Sequence, residues 1–283
     1  MRSKKIISLL IVLVFAISFL AGCSGNQEQP KQETEKQEQS TNQKEIDNSL
    51  ERVQKAGKLV AGLDDAFPPF GFRNDKNELV GFDIELGNEI AKKLGVEMEW
   101  VPTQWSGVIL SLKSKKFDII MSGMSITDER KKEVNFTEPY IATGQVLVIK
   151  SDNNLIKSKD DLKDKVVGTQ LGSTGEEAAK KLEGLKELKT YDGYPEAFND
   201  LDIGRLDAVV VDEITAQHYM AKRPGVFKQV GGLLTNEPMG IAVRKEDKAL
   251  LDAINKAIKE LIEDGTYAKI SKKWFGRDKS LDL

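Results

Sequence analysis

Residues 116–130 read KFDIIMSGMSITDER, and residues 205–217 read RLDAVVVDEITAQ. Each runs from a basic residue and an aspartate through a short apolar strand into a polar loop and then a helix. In open α/β sheets, ligands sit beyond the carboxyl ends of strands, where such loops point outward. Two segments of this kind in one chain predict two lobes offering their loops to one ligand between them.

The flanking sequence supports the same architecture. Before the first segment, KLVAGL (58–63) reads as a strand. FDIELGNEIAKKLG (82–95) reads as a helix with Ile84, Ile90, Ala91 and Leu94 on one face behind an Asp83 cap. VEMEWV (96–101) reads as a strand, GVILSLKSKK (107–116) as a helix and FDIIM (117–121) as a buried strand. Around the second segment, strands are expected at QVLVIK (145–150), KVVGTQ (165–170), KELKTY (186–191) and DAVVVD (207–212). Helices are expected around 175–185, 195–203 and 213–222. MGIAVRK (239–245) reads as a further strand. ALLDAINKAIKELIEDG (249–265) is an amphipathic helix with Leu250, Leu251, Ile254, Ile258, Leu261 and Ile262 as its apolar stripe and Gly265 as its stop. This alternation predicts an α/β fold in which each lobe is a sheet flanked by helices.

Composition bounds the function. A chain of 283 residues, 40% hydrophobic and 7% aromatic, is long enough to build one large or two medium domains around a real core. Its 42 basic and 45 acidic residues are mixed, without the dense basic stripe that neutralises phosphates, so nucleic acid is not an expected partner. The single histidine, His218, reads as a helix-surface or packing residue. No Ser-His-Asp set and no His/Cys metal cluster can be drawn, so neither a metal nor another cofactor is expected. GTQLGSTG (168–175) is glycine-rich but lacks the Gly-Lys-Ser/Thr ending of a phosphate-binding loop.

The N-terminus carries an address. MRSKK is a basic opening, IISLLIVLVFAISFL (6–20) is apolar, and LAGC (20–23) follows. About 15 apolar residues fall short of the ~20 that a membrane-crossing helix needs, so residues 1–22 read as a secretory signal peptide. Without its Arg2, Lys4 and Lys5, 39 basic residues remain against 45 acidic ones. LAGC resembles the bacterial lipobox, which would make Cys23, the only cysteine, the lipid-modified first residue of the mature chain. Taken alone, that cysteine also reads as a small hydrophobe at the end of an apolar run; its position favours lipidation. With no second cysteine, no internal disulfide can form. A diacylglyceryl group supplies the more-than-one acyl chain that stable anchoring needs. Residues 23–46 hold almost nothing apolar after the cysteine and read as a flexible tether, with the folded body beginning near Leu50.

From about residue 50 to 276 the chain resembles the bacterial extracytoplasmic solute-binding proteins of polar amino-acid ABC importers. The resemblance is carried in order by AFPPFGF (66–72), LVGFDIELGNEIAKKLGV (79–96), SGMSITDERKKEVNFTEPY (122–140), QLGSTGEEA (170–178), GRLDAVVVDE (204–213) and DGTYAKISKKWFG (264–276). It implies the two-lobed periplasmic-binding-protein fold of type II, with a two-strand hinge near 141–146 and 233–240. Lobe 1 would comprise residues 47–142 plus 238–283, and lobe 2 residues 143–237. The ligand would bind in the cleft, with the lobes closing over it.

The resemblance also assigns the site. Arg130 lies where the family's guanidinium receives the ligand α-carboxylate, a role that a planar, permanently charged fork suits. Without the resemblance, TDERKK (127–132) reads as a solvated run of helix charges. The Ser122–Gly123–Ser125 loop and Gly172–Ser173–Thr174 would supply further donors, the Ser125 hydroxyl among them. Asp212 lies where the family places its amine-binding carboxylate; read locally, it is a helix N-cap, and the ligand role is the favoured one. Phe67 and Trp105 would wall the ligand side chain, although core packing is the plain reading of either ring. Asp64 would meet the far end of that side chain and favour arginine, lysine, histidine or glutamine. Gln170, both donor and acceptor, does not by itself choose a ligand. YDGYPEAFNDLDIGRLDAVVVD (191–212) also resembles cystine-binding members, so cystine stays open.

Two rivals share the fold. A dehydratase-like enzyme is one, since fold does not fix function. A sensor receptor is the other, which would need a membrane helix and an output domain after RDKSLDL (277–283). The expected partners are an amino acid, an ABC permease with its ATPase and, through the lipid, the outer face of the cell membrane. The expected state is a monomer.

Overall fold

The computed structural model describes residues 47–282. The signal peptide, Cys23 and the tether lie outside the described residues. The chain opens with a helix, Ser49–Ala56, closed by left-handed Gly57, and enters the first sheet at Lys58–Leu63. That strand pairs in parallel with Glu97–Pro102 on one side and Ile119–Ile120 on the other. Ala242–Val243 pairs antiparallel to Ile119–Ile120 and to the edge strand Asn135–Phe136. A second five-stranded sheet runs in the order 187–191, 166–170, 208–212, 145–150, 227–230. Its first three strands are parallel, and Gln145–Lys150 runs antiparallel to both of its neighbours.

The chain passes between the sheets twice, and the two passes pair with each other. Glu237–Met239 is antiparallel to Ile141–Thr143, so the connection is a hydrogen-bonded ribbon. The last two long helices, Lys248–Glu263 and Thr266–Phe275, pack with the first sheet's helix Phe82–Lys93. Leu250, Ile254, Ile258 and Leu261 are buried as the apolar stripe requires. Leu251 and Ile262, at its margins, are only partly covered. Gly265, at φ +81°, turns the chain between the two helices.

Several local expectations differ from the structure, among them the strand at 117–121, which spans only Ile119–Ile120, and the helix at 107–116, which spans only Val108–Lys113. Asp83 is not a helix cap: Gly81 holds that position, and Asp83 is buried one residue inside the helix. The cap must be glycine, because φ is +147° and a Cβ there would stand 2.0 Å from the Phe70 carbonyl oxygen. The strand expected at 239–245 is broken at Gly240, where a Cβ would come within 2.9 Å of Ile126. The helix expected at 175–185 ends at Ala179.

Candidate functional site

The loops after Ile119–Ile120 and Val166–Gln170 and the end of Ala208–Asp212 converge on one narrow cavity. Phe67, Trp105, Ser122, Gly123, Ser125 and Arg130 line it from the first sheet's side; Gln170, Ser173, Thr174, Tyr194 and Asp212 line it from the second. A larger depression of about 1190 Å³ beside the 82–93 helix is an open groove, and none of its polar lining side chains is buried.

Arg130 is placed by its own helix. Thr127 caps Asp128–Glu133 by accepting from the Arg130 N–H at 3.2 Å, and the side chain turns inward to only 7% exposure. Its Nη1 donates to the Ser125 carbonyl at 2.9 Å and its Nη2 to the Gly172 carbonyl at 3.3 Å. The guanidinium carbon lies 5.3 Å from the centre of the Trp105 ring, whose Nε1 also donates to Gly172 O at 3.1 Å. Among the described residues Arg130 forms no ion pair. Burial lowers its pKa, with Glu177, Glu237 and Asp212 opposing the shift at longer range.

Across the cavity, Asp212 ends a strand buried at every position. Although it occupies the N-cap position of Glu213–Lys222, its side chain makes no capping bond. It accepts instead from Gln145 Nε2 at 3.1 Å. Burial first and neighbouring Glu237 second push its pKa up to about 8.

The 122–125 loop is fixed from behind. Asp83 Oδ2 accepts from the Gly123 N–H at 2.7 Å, and Tyr140 Oη donates to the same carboxyl at 3.0 Å. Gly123 sits at φ +53°, and a Cβ there would come within 2.8 Å of the Phe67 ring. Burial raises the Asp83 pKa to about 7. Tyr140→Phe removes a donor from this enclosed carboxyl and is expected to destabilise the chain by ~1–3 kcal/mol, read as a lower urea midpoint. An unchanged midpoint would show that Gly123 alone satisfies Asp83.

A family model, bacterial extracellular solute-binding proteins, family 3, matches residues 59–277. The chain belongs to this family. Among family-3 relatives, the L-cystine-binding protein TcyJ of Escherichia coli (strain K12) is 40% identical over 81% of this chain and 86% of its own length. A solved ancestral arginine-binding protein bound to glutamine is 49% identical, with a TM-score of 0.75 over 78% of this chain and 99% of that one. The ancestral amino acid-binding protein AncCDT-1, a precursor of cyclohexadienyl dehydratase, is 44% identical, with a TM-score of 0.76 over 80% and 99%. The family-3 fold here is thus a mixed α/β architecture whose solved neighbours are two-lobed amino-acid-binding proteins.

Within this family-3 chain, Asp64 is the expected contact that does not line the cavity. It stands behind Gln170, whose Nε2 donates to Asp64 Oδ2 at 2.5 Å and to the Asp192 carbonyl at 3.1 Å. With both amide N–H groups engaged, Gln170 Oε1 keeps the acceptor capacity, which settles the polarity that the sequence leaves open. The Ser125 hydroxyl is also corrected: its proton goes to Glu237 Oε2 at 2.6 Å, so it is not a free donor. The Gly172 N–H goes to Glu176 Oε2 at 2.7 Å and the Ser173 N–H to Gln170 O at 3.3 Å. Thr174, at the start of a helix, retains the orphan N–H of that stretch.

Tyr194 and Glu237 are the residues that sequence reasoning missed. Tyr194 stacks on Phe67 with ring centres 5.8 Å apart, and its only local signal is Pro195 behind it at a helix start. His218 packs edge-on against Phe72 at 5.3 Å and lies away from the cavity.

Proposed function

We propose that this chain is the substrate-capturing lipoprotein of an amino-acid ABC importer. In this reading Cys23 is lipidated after removal of residues 1–22, the 23–46 tether holds the body at the outer membrane face, and the monomer presents its loaded form to a permease and its ATPase. Residues 47–142 with 238–283 form one lobe and 143–237 the other.

The single observation that carries the reading is that a guanidinium and a carboxyl, both buried, line one narrow cavity from its two sides. A buried guanidinium without a carboxylate partner, Arg130, faces a buried carboxyl, Asp212. An α-amino acid supplies the missing carboxylate to one and an ammonium to the other. Arg130 and Trp105 come from one lobe and share Gly172 O of the other, so the atoms that bind the ligand also tie the lobes. The reading is a binding protein rather than an enzyme, in keeping with its family and its cystine-binding relative.

Specificity follows from the far end of the cavity. Gln170 Oε1 has acceptor capacity, and Asp64 stands behind it with its pKa raised by burial. That end favours donor-bearing side chains: arginine, lysine, histidine or glutamine. The TcyJ relative favours cystine as a second reading. A thermal-shift screen of the chain from residue 47 against the twenty amino acids, ornithine and cystine separates them. A ligand at 100 times its Kd adds ~2.7 kcal/mol, worth a rise of a few degrees in Tm. A shift with a basic amino acid or glutamine supports the Gln170–Asp64 argument. A shift with cystine alone replaces it, and no shift at all removes the amino-acid reading.

A further inference from the structure

Glu237 lies on the ribbon joining the sheets, 7% exposed, outside the lining of the cavity yet bonded to residues that line it. Its Oε2 collects donors from both lobes: Ser125 Oγ at 2.6 Å, Thr174 Oγ1 at 2.6 Å and Gln145 Nε2 at 3.3 Å. Its Oε1 accepts from Thr235 Oγ1 at 2.7 Å. The backbone sets this register, because Ser125 bridges to Met239 and the Ile126 N–H donates to Pro238 O at 2.8 Å.

A hydroxyl has one proton and two lone pairs. With its proton on Glu237, Ser125 Oγ has only lone pairs left. Thr174 Oγ1, which shares the two Gln145 Nε2 protons with Asp212 and Glu237, has at least one. Both hydroxyls therefore meet a ligand as acceptors, on the same side of the chemistry as the Asp212 carboxylate. Three acceptors match the three N–H bonds of an ammonium and repel a carboxylate.

On the amino-acid-binding reading, we propose that Glu237 is a positioning residue that makes the Ser125 and Thr174 hydroxyls acceptors, so that the site selects an α-ammonium over the same molecule without it. Glu237 touches no ligand atom in this role; it fixes where the hydroxyl protons point, and it does so only when both lobes are together.

The test uses the full chain in detergent and calorimetric titration with three matched pairs: L-arginine and 5-guanidinopentanoate, L-glutamine and 4-carbamoylbutanoate, L-cystine and 3,3′-dithiodipropionate. The members of the first two pairs differ by one α-amine, those of the cystine pair by two. Glu237→Ala is expected to shrink the parent's preference for the amine-bearing member by about 10- to 100-fold, the range for one charge-assisted hydrogen bond, with little change for the deaminated acid. Glu237→Gln is expected to restore most of the preference, because its amide oxygen takes the position where three donors converge. Should Glu237→Ala fail to fold, Ser125→Ala is read on the same pairs and is expected to lose preference in the same direction. Equal weakening of both members would make Glu237 merely structural, and a Gln variant as poor as Ala would leave only bare charge; either overturns the proposal. A parent that binds none of the amino acids overturns the functional reading itself, whereas a parent that binds one and keeps its preference in the variants overturns only the role of Glu237.

Discussion

Arg130→Ala is expected to weaken amino-acid binding by about 2–5 kcal/mol, the cost of truncating one partner of a buried charge pair. The magnitude follows from what the guanidinium lacks. Its hydrogen bonds go to two carbonyl oxygens and its face lies near Trp105, but no carboxylate neutralises it among the described residues. A ligand carboxylate therefore gains both the charge and the fork geometry, while the bonds to Ser125 and Gly172 already hold the fork in place. Lysine should not rescue, because a point charge on a flexible stem reproduces neither the fork nor the tie to Gly172. The same reasoning bounds the effect on folding. Removing a buried charge that is unpaired in the free chain relieves desolvation as well as losing two hydrogen bonds, so the ligand-free Tm should move little. A Kd within about threefold of the parent's, by calorimetry on a variant of parental Tm, would exclude Arg130 as the carboxylate receptor; that margin is under 1 kcal/mol.

Much of the frame was legible because its signals are local. Lys58–Leu63, Gln145–Lys150 and Glu213–Lys222 occur where the apolar runs and breakers place them. The cavity was legible only through motifs that the family resemblance supplied, since TDERKK carries no local sign that Arg130 turns inward while Lys131 and Lys132 stay in solvent. What the sequence did not reveal depends on partners far along the chain. Glu237 in NEPMG looks like part of a polar turn, and Thr235 is a local partner, yet the Ser125 and Thr174 hydroxyls that it binds are 112 and 63 residues away. Asp83 looks like a cap by its place before an apolar helix, but the loop it holds begins some forty residues later. In both cases the side chain is polar, buried and satisfied by another element, a state that periodicity does not encode.

Asp212 carries the other large prediction, and its sign is fixed by the direction of its shift. Its carboxyl is held at about 8 by burial first and Glu237 second, while the Gln145 hydrogen bond and Arg130 oppose the rise. In the free chain it is therefore mostly protonated at pH 5–7. An α-ammonium needs the carboxylate form, so binding expels a proton and affinity rises with pH, approaching about tenfold per unit until the pH reaches the free-chain value. Folding without ligand shows the reverse. Between the ordinary value of 3.8 and about 8, the native state holds more protons here than the unfolded chain does, so this group's contribution to stability falls as pH rises. The gap in Tm between loaded and free protein should therefore widen from pH 5 to 8. Asp83, raised to about 7 behind the Gly123 loop, and Asp64, raised by burial behind Gln170, are other buried carboxyls whose titration has to be told apart from it, whereas burial holds His218 down at about 4. Asp212→Asn separates them: it should lose about 2–5 kcal/mol of affinity at pH 8 and flatten the slope, leaving only what Asp64 and Asp83 contribute. A parent whose Kd is constant from pH 5 to 8 would remove Asp212 as the ammonium acceptor. A slope that survives unchanged in Asp212→Asn would transfer the titration to Asp64 behind Gln170 or to Asp83 and the loop it holds.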